Sequence, residues 1–209
     1  MSVLNAFVTP DCALLGVDTE GVLPNGEAQH GNKAITLPHL GAALGFRGLD
    51  WMLIAMSSTV VGWKGTYDEL AAYAPTLMNN AATWCRTDKN LEPQDANVVL
   101  VGFSESAGRM VGHAFLRKAG SDDVERHHDI NQFLAPMPDS GTLQTIKNIG
   151  ARADKNGMAL TAMHQCKMLH RVAPESSGGG RFFVSKVTLH SITTEMVCVL
   201  PERPSKEAA

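Results

Sequence analysis

Two serines in the sequence stand where a catalytic nucleophile could be built, and the first is Ser106. It lies in FSESAG, just past the apolar run NVVLVG, as the nucleophile of an esterase lies in its strand–turn–helix elbow. That elbow needs small residues two positions before and after the serine; Gly108 fits, but Ser104 stands where glycine is usual. The following RMVGHAF alternates as a strand does. The segment therefore predicts a hairpin, and an esterase is a distant third function, because nothing selects Asp129 and His164 as partners.

The second serine is Ser2, at the tip of a short apolar segment. Residues 3–8 and 12–17 are two such segments joined by turn residues, which predicts a hairpin. Asp18 ends the second strand. Lys33 opens the third strand, KAITL, after a loop rich in Gly, Asn and Pro.

This arrangement resembles the N-terminal nucleophile hydrolases of the proteasome β-subunit and bacterial HslV type. The resemblance is carried by LLGVDTEG, by NKAITLPHLGAALGFRG, by the late loop SSGGGRFF and by the order of elements along nearly the whole chain. It implies a peptidase or amidase that acts on peptide or amide substrates and assembles as a homo-oligomer, in a ring or stack. In this family the nucleophile is the first residue of the mature chain, which Ser2 becomes if Met1 is removed.

The resemblance also implies the catalytic residues. They are Ser2 as nucleophile and base, Asp18 as the orienting carboxylate, Lys33 as the tuning cation, Gly45 as the oxyanion donor, and Ser140 and Ser177 as supporting serines.

The chemistry of such a site follows from its groups. A hydroxyl is a poor nucleophile unless a base takes its proton, and the α-amino group of the same residue can do so. The pKa of an α-amino group is about 7.7–8.0. A nearby lysine ammonium disfavours the protonated amine, and an aspartate orients that lysine. Backbone N–H groups in a Gly-rich turn could hold the oxyanion.

The sequence departs from the family pattern at three points. The nucleophile is serine where threonine is usual, the spacing from Asp18 to Lys33 is one residue shorter, and Glu20 stands where the proteasome pattern commonly has arginine. These departures leave open a catalytically inactive structural or assembly subunit with the same fold, because fold alone does not establish function.

The elements that position these residues alternate in groups rather than singly. Strands are predicted first, then helices over residues 49–61 and 66–88, a third hairpin, helices over 141–153 and 158–172, and two closing strands. Residues 121–137 are predicted as a loop with a helical turn. This order predicts an α+β fold, a four-layer αββα sandwich of two antiparallel sheets flanked by helix pairs. Residues 1–200 are predicted as one domain and 201–209 as a flexible tail.

Composition narrows the function classes. A net charge of −3 without a long basic run argues against nucleic-acid and anionic-membrane partners. The four cysteines are scattered and predicted to be buried thiols, and the N-terminus lacks the charge of a secretory signal, so a cytoplasmic protein is expected. No cofactor is expected, and no metal: His127 and His128 are adjacent in a polar segment, which is more typical of solvated side chains.

Overall fold

The structure is a computed structural model that describes residues 2–22, 27–174 and 178–202 of the 209-residue chain. Within these residues the chain forms strands β1 (Leu4–Val8), β2 (Cys12–Asp18), β3 (Glu20–Val22), β4 (Ala28–His30), β5 (Ala34–Leu37), β6 (Ala42–Arg47), β7 (Ala96–Ser104), β8 (Arg109–Arg117), β9 (Val124–His127), β10 (Gln132–Ala135), β11 (Arg181–Thr188) and β12 (Ile192–Val199). The α-helices are α1 (Asp50–Val61), α2 (Tyr67–Asp88), α3 (Ser140–Asn148) and α4 (Lys155–Val172).

The strands form two large antiparallel sheets and one small one. Sheet I has the order β10-β1-β2-β11-β12, and sheet II has the order β5-β6-β7-β8-β9. The small sheet pairs β3 with β4. With helices grouped after strands, this is the α+β class that the element order predicts.

Most predicted elements are confirmed, and the main errors concern short strands of three or four residues. Residues 121–137 are not a loop with a helical turn but contain β9 and β10, which pair with β8 and β1 respectively. Part of the predicted loop after Asp18 is also the β3–β4 hairpin. Both β9 and β10 are edge strands of four residues. The side chains of β9 are largely exposed and those of β10 are only partly buried, so neither strand shows a long alternation of apolar and polar residues.

The start of α2 is formed by a capping box, which the spacing of Thr66 and Glu69 in the sequence predicts. The Thr66 hydroxyl accepts from the backbone N–H of Glu69 at 3.2 Å, and the Glu69 carboxylate accepts from the backbone N–H of Thr66 at 2.8 Å. Two N–H groups that the first turn leaves without helical partners are thereby satisfied. The helix continues through Pro75 to Asp88.

Three clusters of buried side chains hold the elements together. The first joins α1 and α2 to sheet II, and its largest members include Phe46, Tyr67 and Phe115. The second joins the inner faces of the two large sheets, where Leu4 and Leu15 of sheet I meet alanine and valine side chains of sheet II. The third joins α4 to sheet I. Burial of this apolar surface is the main favourable term in folding.

The cysteines are free thiols, as the sequence predicts. All four lie in the described part of the chain, and all four are thiols rather than disulfides. Cys85 and Cys166 are buried, whereas Cys12 and Cys198 are half-buried. None of the helices described is long and apolar enough to cross a membrane.

Candidate functional site

The amino-terminal hairpin brings Ser2 beside Asp18. In this hairpin Leu4 pairs with Val17, and the next backbone hydrogen bond runs from the N–H of Asp18 to the carbonyl of Val3 at 3.1 Å. One residue further, Ser2 lies at the same end of the sheet as the Asp18 side chain. Pairing within one hairpin therefore places these two residues at the same end of sheet I.

Lys33 reaches the same point from sheet II. It directly precedes β5, and its carbonyl accepts from the N–H of Phe46 at 2.8 Å, which extends the β5–β6 pairing by one residue. The side chain crosses to sheet I, where its ammonium donates to Ser2 Oγ at 2.8 Å and to Asp18 Oδ1 at 2.8 Å. It also donates to the backbone carbonyl of Glu20. Three oxygen acceptors thus match the three N–H bonds of the ammonium.

The three side chains are shielded from water. Ser2 is 6% exposed, Asp18 0% and Lys33 4%. Burial raises the pKa of Asp18, and the charge of Lys33 and its hydrogen bond act in the opposite direction. The second carboxylate oxygen accepts from the N–H of Gly179 at 3.2 Å. A buried charge is stable only when it is paired and hydrogen-bonded, and both conditions are met here.

Arg47 is a contributor to this site that the sequence analysis missed. Its Nε donates to the backbone carbonyl of Ser2 at 3.0 Å, and its Nη1 donates to Asn97 Oδ1 at 2.7 Å. Burial lowers the pKa of Arg47, and the carboxylates of Asp95 and Asp18 act in the opposite direction. An isolated arginine at the end of a strand is usually solvated, so no signal in the sequence separates it from other surface arginines.

Glu20 and Gly179 form a wall of the site. Glu20 is 6% exposed, and its carboxylate lies so close to Gly179 that a Cβ at that glycine would collide with it. The carboxylate that distinguishes this chain from the proteasome pattern therefore lies in the interior, next to the residue that donates to Asp18. Glycine at position 179 permits this close approach of backbone and carboxylate.

Gly45 lies inside β6, where it pairs with Ala34 and Val99. A Cβ at this position would lie 2.6 Å from Leu4 Cδ1, so the glycine allows the two sheets to approach. The N–H of Phe46 faces β5, and alternation along an antiparallel strand directs the N–H of Gly45 toward β7. The placement gives Gly45 a packing role, and its oxyanion role stays a prediction.

The two supporting serines are not brought to the site by the described contacts. Ser140 is exposed in the first turn of α3, and no hydrogen bond among the described residues joins it to Asp18 or Lys33. Ser177 lies outside the described residues, as do Met1 and residues 203–209 of the predicted tail.

The predicted hairpin at FSESAG is confirmed. Ser106 lies in the exposed turn between β7 and β8, where its N–H donates to Asp68 Oδ2 at 3.0 Å. Asp129 pairs with Arg109 instead, and His164 lies on α4, which packs against sheet I. Within the described ranges no histidine is hydrogen-bonded to Ser106. An elbow needs a helix after the serine, and the chain continues here as a strand.

A cleft of about 1320 Å³ opens beside the buried site. Thr19 and Glu20 line it on one side and the residues that flank Lys33, Asn32 and Ala34, on another. Phe183 contributes an apolar wall from β11. A search of the described residues finds no group of three or more His, Cys, Asp or Glu side chains that could hold a metal ion.

Comparison with known proteins shows the fold and not the family. No protein-family profile matches the chain, and no curated protein sequence does. A solved structure of a Gly-1 mutant of Anbu from Hyphomicrobium sp. strain MC1 is similar at a TM-score of 0.61 and 13% identity, over 94% of this chain and 88% of that one. Anbu from Yersinia bercovieri, described as an ancestral beta-subunit, is similar at a TM-score of 0.61 and 12% identity, over 98% and 89%.

These structures correct the resemblance on which the sequence analysis relied. A second structure of Anbu from Hyphomicrobium sp. strain MC1 is similar to the same extent, with a TM-score of 0.60 and 14% identity over 93% of this chain and 86% of that one. The prediction of a proteasome β-subunit or HslV-like member is wrong as stated, because these neighbours are Anbu proteins and the sheet-rich fold is not clearly that of HslV. At this identity the likeness establishes a proteasome-like fold of the Anbu kind.

Proposed function

We propose that the chain is a proteasome-like hydrolase of the N-terminal nucleophile class, a peptidase or amidase in which removal of Met1 makes Ser2 the first residue. The observation that carries the proposal is the buried contact of 2.8 Å between the Lys33 ammonium and Ser2 Oγ, with Asp18 on the other side of the same ammonium. A buried lysine aimed at a hydroxyl disfavours added positive charge there and favours negative charge.

The proposed reaction follows from these contacts. The α-amino group of Ser2 accepts the hydroxyl proton while Oγ attacks the carbonyl carbon of the substrate, which forms a tetrahedral oxyanion. Collapse of that intermediate breaks the C–N bond, and the amine leaves with the proton held by the α-amino group. Water, deprotonated by the same amine, then hydrolyses the Ser2 ester and restores the hydroxyl. Lys33 stabilises the developing alkoxide, and Asp18 holds Lys33 in place.

The cleft beside Lys33 is the proposed substrate site. Its volume of about 1320 Å³ exceeds the range of about 300–1,000 Å³ that is usual for small-ligand pockets, which favours a peptide or another extended amide. Its walls combine apolar side chains such as Ile35 and Phe183 with the charges of Arg181 and Glu202. Mixed walls of this kind suit a chain that carries both backbone amides and side chains.

The architecture is part of the proposal. The three buried clusters support a four-layer αββα sandwich, in which the two large sheets pack face to face and helices cover their outer sides. The likeness to a chain described as an ancestral beta-subunit supports assembly of identical copies. Both inferences are separate from catalysis, since inactive subunits can share a fold with active ones.

Mass spectrometry of the intact protein tests the function. The protein is measured before and after incubation with a β-lactone, which acylates an activated hydroxyl, and the adduct is located by peptide mapping. We expect loss of Met1 and one adduct on Ser2, abolished in Ser2→Ala and kept in Ser106→Ala. Retained Met1 with no adduct on Ser2 would overturn the proposal in favour of an inactive structural subunit. An adduct on Ser106 alone would indicate an esterase.

A further inference from the structure

Arg47 holds the residue that the proposed function makes the nucleophile. It is the last residue of β6, and its guanidinium connects the carbonyl of Ser2 at 3.0 Å with the side chain of Asn97 on β7 at 2.7 Å. Asn97 is itself buried, with 8% exposure, so the guanidinium is anchored on sheet II. Sheet II therefore contacts Ser2 twice, through Lys33 at the hydroxyl and through Arg47 at the carbonyl.

We propose that Arg47 is a positioning residue for the amino-terminal nucleophile: it fixes the backbone of Ser2 and places a second cation beside the α-amino group that loss of Met1 creates. This inference rests on the proposed function and adds to it a residue that is not among those implied by the family resemblance.

Arg47 restrains a residue that becomes the end of the chain. A first residue is tied to the protein by one peptide bond, and terminal residues are poorly ordered unless something else holds them. The N–H of Asp18 fixes the carbonyl of Val3, and Lys33 holds the Ser2 hydroxyl. The bond from Arg47 to the Ser2 carbonyl adds the point that fixes the peptide plane between them. With the carbonyl and the hydroxyl of Ser2 both held, rotation about its Cα–C bond is restricted, and the amine keeps one position relative to Lys33 and Arg47.

The charge of Arg47 also affects the protonation of the Ser2 α-amino group. The nitrogen and the carbonyl oxygen of one residue are separated by three covalent bonds, so the Arg47 guanidinium lies within roughly 7 Å of the Ser2 nitrogen. A cation at this distance disfavours protonation of an amine. The charged groups that face this end of the hairpin are Lys33, Asp18 and Glu20, with Asp95 beyond the guanidinium. Lys33 acts in the same direction as Arg47, and the carboxylates act against both.

Arginine suits this position better than lysine. Its guanidinium is planar and donates in two directions at once, here through Nε to Ser2 and through Nη1 to Asn97. A lysine keeps the charge but concentrates its donors at a single atom, which can hold one of the two oxygens firmly. The two effects of Arg47 can therefore be separated by substitution. Arg47→Met removes both the charge and the hydrogen bonds that link Ser2 to Asn97, whereas Arg47→Lys keeps the charge and weakens that link.

The pKa of the Ser2 α-amino group is the measurement that tests this. Competitive acetylation of the protein from which Met1 has been removed, followed by peptide mass spectrometry from pH 5 to 10, gives that pKa whether or not the protein is active. We expect Arg47→Met to raise it by about one unit and Arg47→Lys to raise it by much less. Arg109→Met, at the opposite end of the β7–β8 hairpin, is the matched control and should leave it unchanged.

The rate of β-lactone acylation at Ser2 is the second readout. At pH 7 the rate should fall about tenfold in Arg47→Met and to a smaller extent in Arg47→Lys and Asn97→Ala, which keep the cation. An amine pKa and an acylation rate that are the same in Arg47→Met and in the unsubstituted protein would overturn the inference and leave the proposed function intact. Absence of acylation in the unsubstituted protein would overturn the proposed function, and with it the role of Arg47 in that function, even if the amine pKa shifts.

Discussion

The ammonium of Lys33 lies 2.8 Å from the carboxylate of Asp18, and their side chains are only 5% and 0% exposed. The pair joins the start of β5 in sheet II to the end of β2 in sheet I. Removing one member of a buried pair costs about 3–5 kcal/mol, because the other charge is left without compensation, whereas replacing both can cost little.

A double-mutant cycle on this pair tests that reasoning. We expect Lys33→Met to lower the free energy of unfolding by about 3–5 kcal/mol and Lys33→Met with Asp18→Asn to lower it by less. Denaturation in urea, with the slope compared among variants, measures each value. A loss in the double variant equal to the sum of the losses in Lys33→Met and Asp18→Asn alone would show that the ion pair does not couple the two sheets. The same Lys33 variant should lose β-lactone acylation at Ser2.

Assays of amide hydrolysis should distinguish the roles of Ser2 and Ser106. We expect Ser2→Ala to reduce amide hydrolysis about 10³-fold or more, since the residue supplies the nucleophile. The thermal midpoint should fall by only a few degrees, because the Lys33 ammonium loses one acceptor and keeps the other two. Ser106→Ala should retain full turnover, because the hydroxyl lies in an exposed hairpin turn. Turnover of a set of fluorogenic peptide amides measures both. Full turnover in Ser2→Ala would exclude the mechanism.

Gly45→Ala should destabilise the protein through the packing of the two sheets. Its Cβ would lie 2.6 Å from Leu4 Cδ1 and 3.0 Å from Leu15 Cδ1, and both leucines are fully buried. Overpacking of this kind costs about 1–3 kcal/mol. Combining the change with Leu4→Val should recover part of the loss, because the shorter side chain leaves room for the new methyl group.

The control for that experiment is Gly141→Ala, in the first turn of α3. The nearest atom to its added Cβ is 3.7 Å away, and alanine favours helix more than glycine does. Urea denaturation should show it to be neutral or slightly stabilising. A Gly45→Ala protein as stable as Gly141→Ala would refute the packing role of Gly45.

The buried thiol of Cys166 should make the free energy of unfolding decrease as the pH rises above 9. Burial above all raises its pKa to about 12 from the ordinary 9.0, and Asp18 and Glu20 add to this. The thiol donates to the Gly178 carbonyl at 2.9 Å. Above pH 9 the unfolded chain loses this proton while the folded protein keeps it, so stability present below pH 9 is lost as pH rises toward 12.

Urea denaturation between pH 8 and 11 measures the effect. One such group contributes a slope of at most about 1.4 kcal/mol per pH unit, and Cys166→Ala should show a shallower decline by up to that amount. Cys12→Ala, at a half-buried position, serves as the comparison because its pKa is also raised but without a large shift. The interpretation fails if Cys166→Ala and the unsubstituted protein decline in parallel.

Local signals predicted much of this structure. The cap at Thr66, the hairpin from Val3 to Asp18 and the strand character of RMVGHAF each depend on residues a few positions apart, so the pattern is visible in a short window. The short edge strands β9 and β10 were missed because four residues are too few to show an alternation of apolar and polar side chains. The pairing of β10 with β1 also joins residues about 130 positions apart, which no short window of sequence can reveal.

The candidate site likewise combines contacts within one hairpin, which are local in sequence, with contacts between the two sheets, which are not. The sequence by itself determined that Ser2 and Asp18 share the end of one hairpin, because antiparallel pairing over a short turn sets their register. Lys33 entered the predicted site only through the family resemblance, and Arg47 did not enter it at all. The tertiary structure decided that both reach Ser2, since the contacts cross from sheet II to sheet I over 31 and 45 residues of chain. Such contacts depend on how the apolar faces of two sheets pack, and side-chain spacing along one chain carries no record of that packing.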